Sequence, residues 1–250
     1  MDQLEEARQL MRTRRYAEAV ALYERLAHDA TAPEQASILS FLSAAYEQVG
    51  RFEEAIRSGR KALEVAREAS NDATEAHAGA SLGTAILNDF HRKGPSAPKW
   101  DDFREAMALL EHSAVLYERE GSIDYASTLL SMAEAYRGVG IFNGAGALYT
   151  RVSRELSDER WAASDDLARH TDYLRGRAFM GLGAVALHYG HRETASDRLD
   201  SSVNLLLSGD PQVFKRDLEE IARIFESELD DREAAEQIRD LVKQRLSDSD

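Results

Sequence analysis

The chain has 250 residues, 43% of them hydrophobic, with 45 acidic against 31 basic side chains and a net charge of −14. That apolar content can build a packed core, while the acidic balance disfavours nucleic acid and anionic membrane as partners. The absence of cysteine removes disulfides, thiolate chemistry and cysteine-ligated metal centres.

With only four prolines, the composition favours helix throughout. Met1 to Glu6 is acidic, with no basic region leading into an apolar run, and is not a signal peptide. Leu4, Ala7, Leu10 and Met11 fall three and four apart, which predicts a helix over 2–13. Arg12 to Arg15 turns the chain, and Tyr16, Ala19, Val20, Tyr23 and Leu26 mark an antiparallel second helix. Thr31 and Glu34 form a capping box before a helix carrying Ile38, Leu42 and Tyr46. Gly50 makes a tight turn into a partner helix with Phe52, Ala55, Ala62 and Leu63. A second capping box, Asp72 to Glu75, opens a helix whose packing face is small: Ala76, Gly79, Ala80 and Gly83. Gly94 to Trp100 breaks the helix with two prolines, and Phe103, Ala106 and Leu110 restore the second-helix pattern.

Ser122 caps the next helix, which carries Leu129, Ala133 and Tyr136, and Gly140 turns it into Phe142, Ala145 and Tyr149. A long helix follows, starting near Ser164 or already at Trp161, and reaches Tyr189 with Tyr173, Phe179 and Gly183 inward. Its longest apolar-looking stretch, 178–187, is far too short to span a bilayer, so a cytoplasmic protein is expected. Gly190 turns the chain again, Ala195, Leu199 and Val203 continue it, and 208–211 breaks it. Leu218, Ala222 and Phe225, then Ala234, Ile238 and Leu241, complete a last pair.

Aligned on the small residue early in each second helix, the chain repeats at Ala19, Ala55, Ala106, Ala145, Ala195 and Ala234. An aromatic stands three residues before it at Tyr16, Phe52, Phe103 and Phe142, and a turn glycine five before it at Gly50, Gly140 and Gly190. First helices supply Gly83, Ala133, Gly183 and Ala222 as their small residues. This helix–turn–helix pattern resembles the tetratricopeptide repeat (TPR), in the longer-helix variety found in SNAP-type fusion adaptors and bacterial peptide-sensing regulators. The expected fold is all-α: a right-handed α-solenoid of about six hairpins, because each hairpin buries one face alone and the other only against its neighbour. It is expected as a single superhelical domain over 1–246, with units near 2–30, 31–70, 71–120, 121–157, 158–209 and 210–246, and an acidic tail at 247–250.

No catalytic constellation is visible. His188 and His191 flank one turn beside Glu193 but lack a third metal ligand, and the glycines at 79–83 lie in a helix with no strand before them. The chain therefore reads as a non-enzyme without cofactor or metal. The resemblance implies a groove lined by first helices in which a partner protein or peptide lies. Carried over residue by residue, it places Ser37, Ser40, Glu47, Gln48, Thr84, Asn88, Glu134, Arg137, Arg177, His188, Arg216 and Arg223 on the groove, with Arg8 and Arg12 in the first unit. Arginine and asparagine there can hold a carboxylate or backbone by charge-assisted hydrogen bonds. Trp100 is a further candidate contact in its long connection. The expected function is a non-enzymatic scaffold or adaptor for a protein or peptide. The alternatives are a peptide-responsive sensor, a SNAP-like adaptor and, remotely, a metal-dependent enzyme. No nucleic-acid or membrane-inserting role is expected, and self-association stays open.

Overall fold

A computed structural model describes residues 3–94, 100–208 and 211–247. Among these, twelve α-helices form six successive hairpins, and no strand is present. They are α1 (Gln3–Arg12), α2 (Tyr16–Asp29), α3 (Ala32–Gln48), α4 (Phe52–Glu68), α5 (Asp72–Lys93), α6 (Trp100–Glu120), α7 (Asp124–Gly138), α8 (Phe142–Glu155), α9 (Asp165–His188), α10 (Arg192–Leu207), α11 (Pro211–Ser227) and α12 (Arg232–Ser247). The fold is all-α and TPR-like. Residues 1–128 and 129–250 form two compact units, the boundary falling inside α7. The expected tail lies, from 248 onward, outside the described residues, as do Pro95 to Lys99 of the expected insertion.

Within the first unit α3 packs on α4, α4 on α5, and α5 on α6, while α3 also touches α5, so consecutive first helices adjoin. The second unit repeats the order from α8 to α12. Each core follows the predicted stripes. One gathers Val20, Tyr23, Ile38, Leu42, Tyr46 and Ala55. The other gathers Leu199, Val203, Phe214, Leu218, Phe225 and Ile238.

What brings the two helices of a hairpin together is the lack of side-chain bulk. A Cβ on Gly83 would stand 3.1 Å from the Ala106 carbonyl oxygen, and one on Gly183 would stand 2.8 Å from Leu199 Cγ. Where serine replaces glycine at such contacts, its hydroxyl crosses the gap. Ser43 donates to the Ala55 carbonyl at 2.8 Å, Ser58 to Leu39 at 2.8 Å, and Ser202 to Gly176 at 2.7 Å. A buried serine bonded this way costs little, whereas an unbonded one would carry a desolvation penalty. Ala19, Ala55, Ala106, Ala145 and Ala195 are all fully buried, as the repeat requires.

The turns also recur. Gly50, Gly140 and Gly190 have φ of 76°, 80° and 78°, and the N–H of the residue after each glycine closes onto a last-turn carbonyl. These bonds run from Arg51 to Tyr46 (2.8 Å), Ile141 to Tyr136 (2.8 Å) and His191 to Ala186 (2.9 Å). The first hairpin makes the same bond from Arg15 to Leu10 at 2.8 Å with Arg14 at φ 59°.

Two expectations are corrected, and one left open is decided. In the sixth hairpin the fully buried alanine is Ala235, not Ala234, because the turn through Asp230 is one residue longer and Asp231 bonds back to Phe225. The cap of α5 is Asn71, whose side chain accepts the Thr74 N–H at 2.9 Å, which leaves Glu75 to pair with Arg67. Trp161 lies in a separate 3-10 turn, Glu159–Ala162, and α9 starts after Ser164, whose hydroxyl accepts the Leu167 N–H.

Gly181 of α9 applies the same rule to the contact with α8 of the preceding hairpin, and offers a test. Its missing Cβ would lie 2.3 Å from the Tyr149 ring, whereas a Cβ on Gly146 meets only Val185 at 3.5 Å. Gly181→Ala is expected to cost about 1–3 kcal/mol in denaturant unfolding. Gly146→Ala, in the same measurement, is expected to be neutral or to stabilise by up to about 1 kcal/mol through helix propensity.

Candidate functional site

Polar side chains from first helices gather in two places, one in each unit. In the first unit, Glu47 near the end of α3 accepts a hydrogen bond from the Asn88 amide near the end of α5. The two residues lie far apart in sequence, and both were expected on this face. Glu47 is half-buried and has no ion-pair partner among the described residues. Burial pushes its carboxyl up to about 7, with the Asn88 bond opposing. Toward the other ends of these helices, the Arg8 guanidinium and the His77 ring each lie 5.2 Å from the Phe41 ring centroid. Burial pulls the His77 ring below its usual value, and its Nε2 has no hydrogen-bond partner.

In the second unit a chain of charges crosses three first helices. Arg137 of α7 donates to Glu134 Oε2 at 2.8 and 3.1 Å. The other Glu134 oxygen stands 3.6 Å from the Arg177 guanidinium of α9, which in turn stands 4.0 Å from Asp217 of α11. Arg177 makes one close hydrogen bond, to the Tyr173 hydroxyl at 3.1 Å, and its Nε has none. Burial would lower the Arg177 pKa, but Tyr173, Asp217 and Glu134 outweigh it and hold it raised. Asp217 is raised, chiefly by burial and against the pull of Arg177. The Tyr149 hydroxyl is buried close beside Glu134 and Arg137, and no well-aligned hydrogen bond joins it to a described residue. Burial raises the Tyr149 phenol further. The cluster thus holds more donors than its own acceptors use, in a half-buried setting where such bonds are strong.

The remaining expected residues are dispersed. Ser40 is fully buried and donates to the Ala36 carbonyl at 3.0 Å. It packs within its hairpin and presents nothing to a groove, which corrects its placement. Gln48 is exposed at the end of α3, Thr84 is half-buried in α5, and Arg223 is exposed on α11. His188 stacks on Phe142 with centroids 3.6 Å apart. Trp100 begins α6 instead of standing in the connection. It is 48% exposed, with its ring 5.9 Å from Phe90 and 5.8 Å from Phe103. Among the described residues no three His, Asp or Glu side chains are placed to hold a metal ion, and no helix is long and apolar enough to cross a membrane.

Sequence reasoning did not single out Asp217, Tyr149 or Phe41 as site residues. Asp217 follows Arg216 in an exposed-looking charged pair, and Tyr149 and Phe41 carry the apolar pattern of core positions.

Hairpins of this geometry, with small residues between paired helices and glycine at the turn, define a tetratricopeptide-like helical repeat. Residues 38–73 match the tetratricopeptide repeat family model. No curated protein matches the chain. Among solved structures, the kinesin light chain TPR-like repeats of Podospora anserina align with a TM-score of 0.59 at 17% identity, over 81% of this chain and 92% of that one. BtubC from P. vanneervenii aligns with a TM-score of 0.59 at 17% identity, over 80% and 76%. A signal transduction ATPase of the STAND class with a tetratricopeptide repeat sensor, from Pyrococcus horikoshii, aligns at 0.62 and 16% over 90% of this chain and 35% of that one. At these identities the likeness is one of fold.

Glu47 makes stability depend on pH. A carboxyl whose folded value is raised contributes stability that is fully present below its unfolded value and is lost as pH rises through the folded one. Relative to Glu47→Gln, the wild type is therefore expected to lose on the order of 2 kcal/mol between about pH 4.5 and pH 7.5. Urea unfolding of both proteins across that range measures the difference.

Proposed function

We propose that this chain is a non-catalytic scaffold that binds an extended segment of a partner protein along its first helices. The observation that carries the reading is the unspent donor capacity of the Glu134–Arg137–Arg177–Asp217 chain. Arg177 has two carboxylates beyond hydrogen-bond distance and an Nε without an acceptor. A cluster serving only to join helices would gain by closing those bonds, since a buried donor left unmade is costly. Peptide carbonyls and carboxylates are acceptors that match a guanidinium fork. The fold supports a role in protein interaction in general, and an adaptor working by peptide capture is the specific form this cluster favours.

Selection of a phage-displayed dodecapeptide library on the folded protein tests this. Selected peptides are expected to lose about tenfold in affinity on Arg177→Ala, the loss of one charge-assisted contact. They are expected to be unaffected by Arg154→Ala on the exposed side of α8. Peptides that bind Arg177→Ala as they bind the wild type would remove the reading.

A further inference from the structure

The described carboxylates that lie half-buried or deeper mostly face a cation. Glu134 faces Arg137, Asp217 faces Arg177, and Glu75 faces Arg67. Asp89, only 4% exposed, is held by both Arg92 and Lys93. Glu47 differs from these. It sits on the face where α3 and α5 adjoin, is half-buried, and is met only by the neutral Asn88 amide. Desolvating a carboxylate without a counter-charge is unfavourable, so such a group either keeps its proton or acquires a cation.

Charged groups on the elements packed around it are already engaged. From α2, Glu24 accepts the Tyr46 hydroxyl. At the α3–α4 turn, Arg51 lies 4.5 Å over the Tyr46 ring and bonds Glu54 at 3.0 Å. From α5, Arg92 lies 5.2 Å over the Phe52 ring and bonds Asp89, which also takes Lys93, while His91 packs edge-on to Phe90. None of these pairs with Glu47. Among the described residues, then, no cation pairs with Glu47, which leaves its carboxyl open to one supplied by a partner.

We propose that Glu47 is the contact for a lysine or arginine side chain of the partner segment, and that docking of this cation releases the Glu47 proton to solvent. Asn88 then positions the carboxylate through its retained amide bond and leaves the second carboxylate oxygen for the incoming ammonium or guanidinium. The balance is one proton lost from the carboxyl and one ion pair formed. The burial that holds the proton in the free protein also strengthens the new pair. A net charge of −14 adds attraction for a basic segment at longer range. The inference rests on the first helices being the contact surface.

The same dodecapeptide selection provides the probes. Peptides whose binding involves α3 and α5 are expected to share a lysine or arginine, and replacing it by glutamine should weaken binding about tenfold. Calorimetry near pH 7 in buffers of different ionisation enthalpy should report release of a sizeable fraction of one proton per peptide. Glu47→Gln keeps an acceptor for Asn88, which circular dichroism can confirm leaves the fold intact, and should abolish both the lysine preference and the proton release. Selected peptides that ignore the basic residue, or whose proton release survives Glu47→Gln, overturn this inference and leave the scaffold reading standing. A library with no binder to the folded chain overturns both.

Discussion

The close approach of the two helices in each hairpin is the constraint on which the rest depends. Helix axes come near only where side chains are small, and here Gly83, Gly183 and Gly176 leave no room for a Cβ. That spacing orients the first helices so that their outer stripe faces neighbouring first helices and solvent rather than the core. The polar residues at 47, 88, 134 and 177 then fall on one kind of surface. The serine hydroxyls of Ser43, Ser58 and Ser202 show the same rule in polar form, since each crosses the interface to a carbonyl of the paired helix. Hairpin packing therefore sets the address of every candidate contact before any of them has a chemical role.

The two polar clusters differ in how charge is matched. Around Arg177 the cation has two partial partners and donors to spare. Around Glu47 the acid has a neutral partner and no cation. Both are incomplete, in opposite senses, unlike the closed ion pairs that Asp89 makes with Arg92 and Lys93.

Most of the fold is legible in the sequence because its determinants are local. Turn glycines, the aromatic at the start of the second helix and the buried alanine are each recognisable within a single hairpin, and Gly50, Phe52 and Ala55 do what their spacing implies. The misassigned details are boundaries decided by one hydrogen bond. Asn71 outcompetes Asp72 as a cap because its side chain reaches Thr74, and the longer turn at Asp230 shifts the last alanine by one. The site was legible only as positions on a helical face. That Glu47 meets Asn88, or that Asp217 rather than Arg216 approaches Arg177, depends on the axial offset between successive hairpins, and no short-range pattern encodes that offset. Ser40 shows the converse error, because a polar residue at groove spacing can satisfy itself on its own helix and disappear into the core.

Two of the turns carry a further consequence. The second, fourth and fifth hairpins place glycine at the left-handed position, but the first uses Arg14 and the last uses Asp230. A side chain there costs roughly 1 kcal/mol that glycine avoids. Amide hydrogens beside the turns at Arg14 and Asp230 should then exchange through local opening before those beside Gly50, Gly140 and Gly190, so the choice of one turn residue decides which hairpins breathe first.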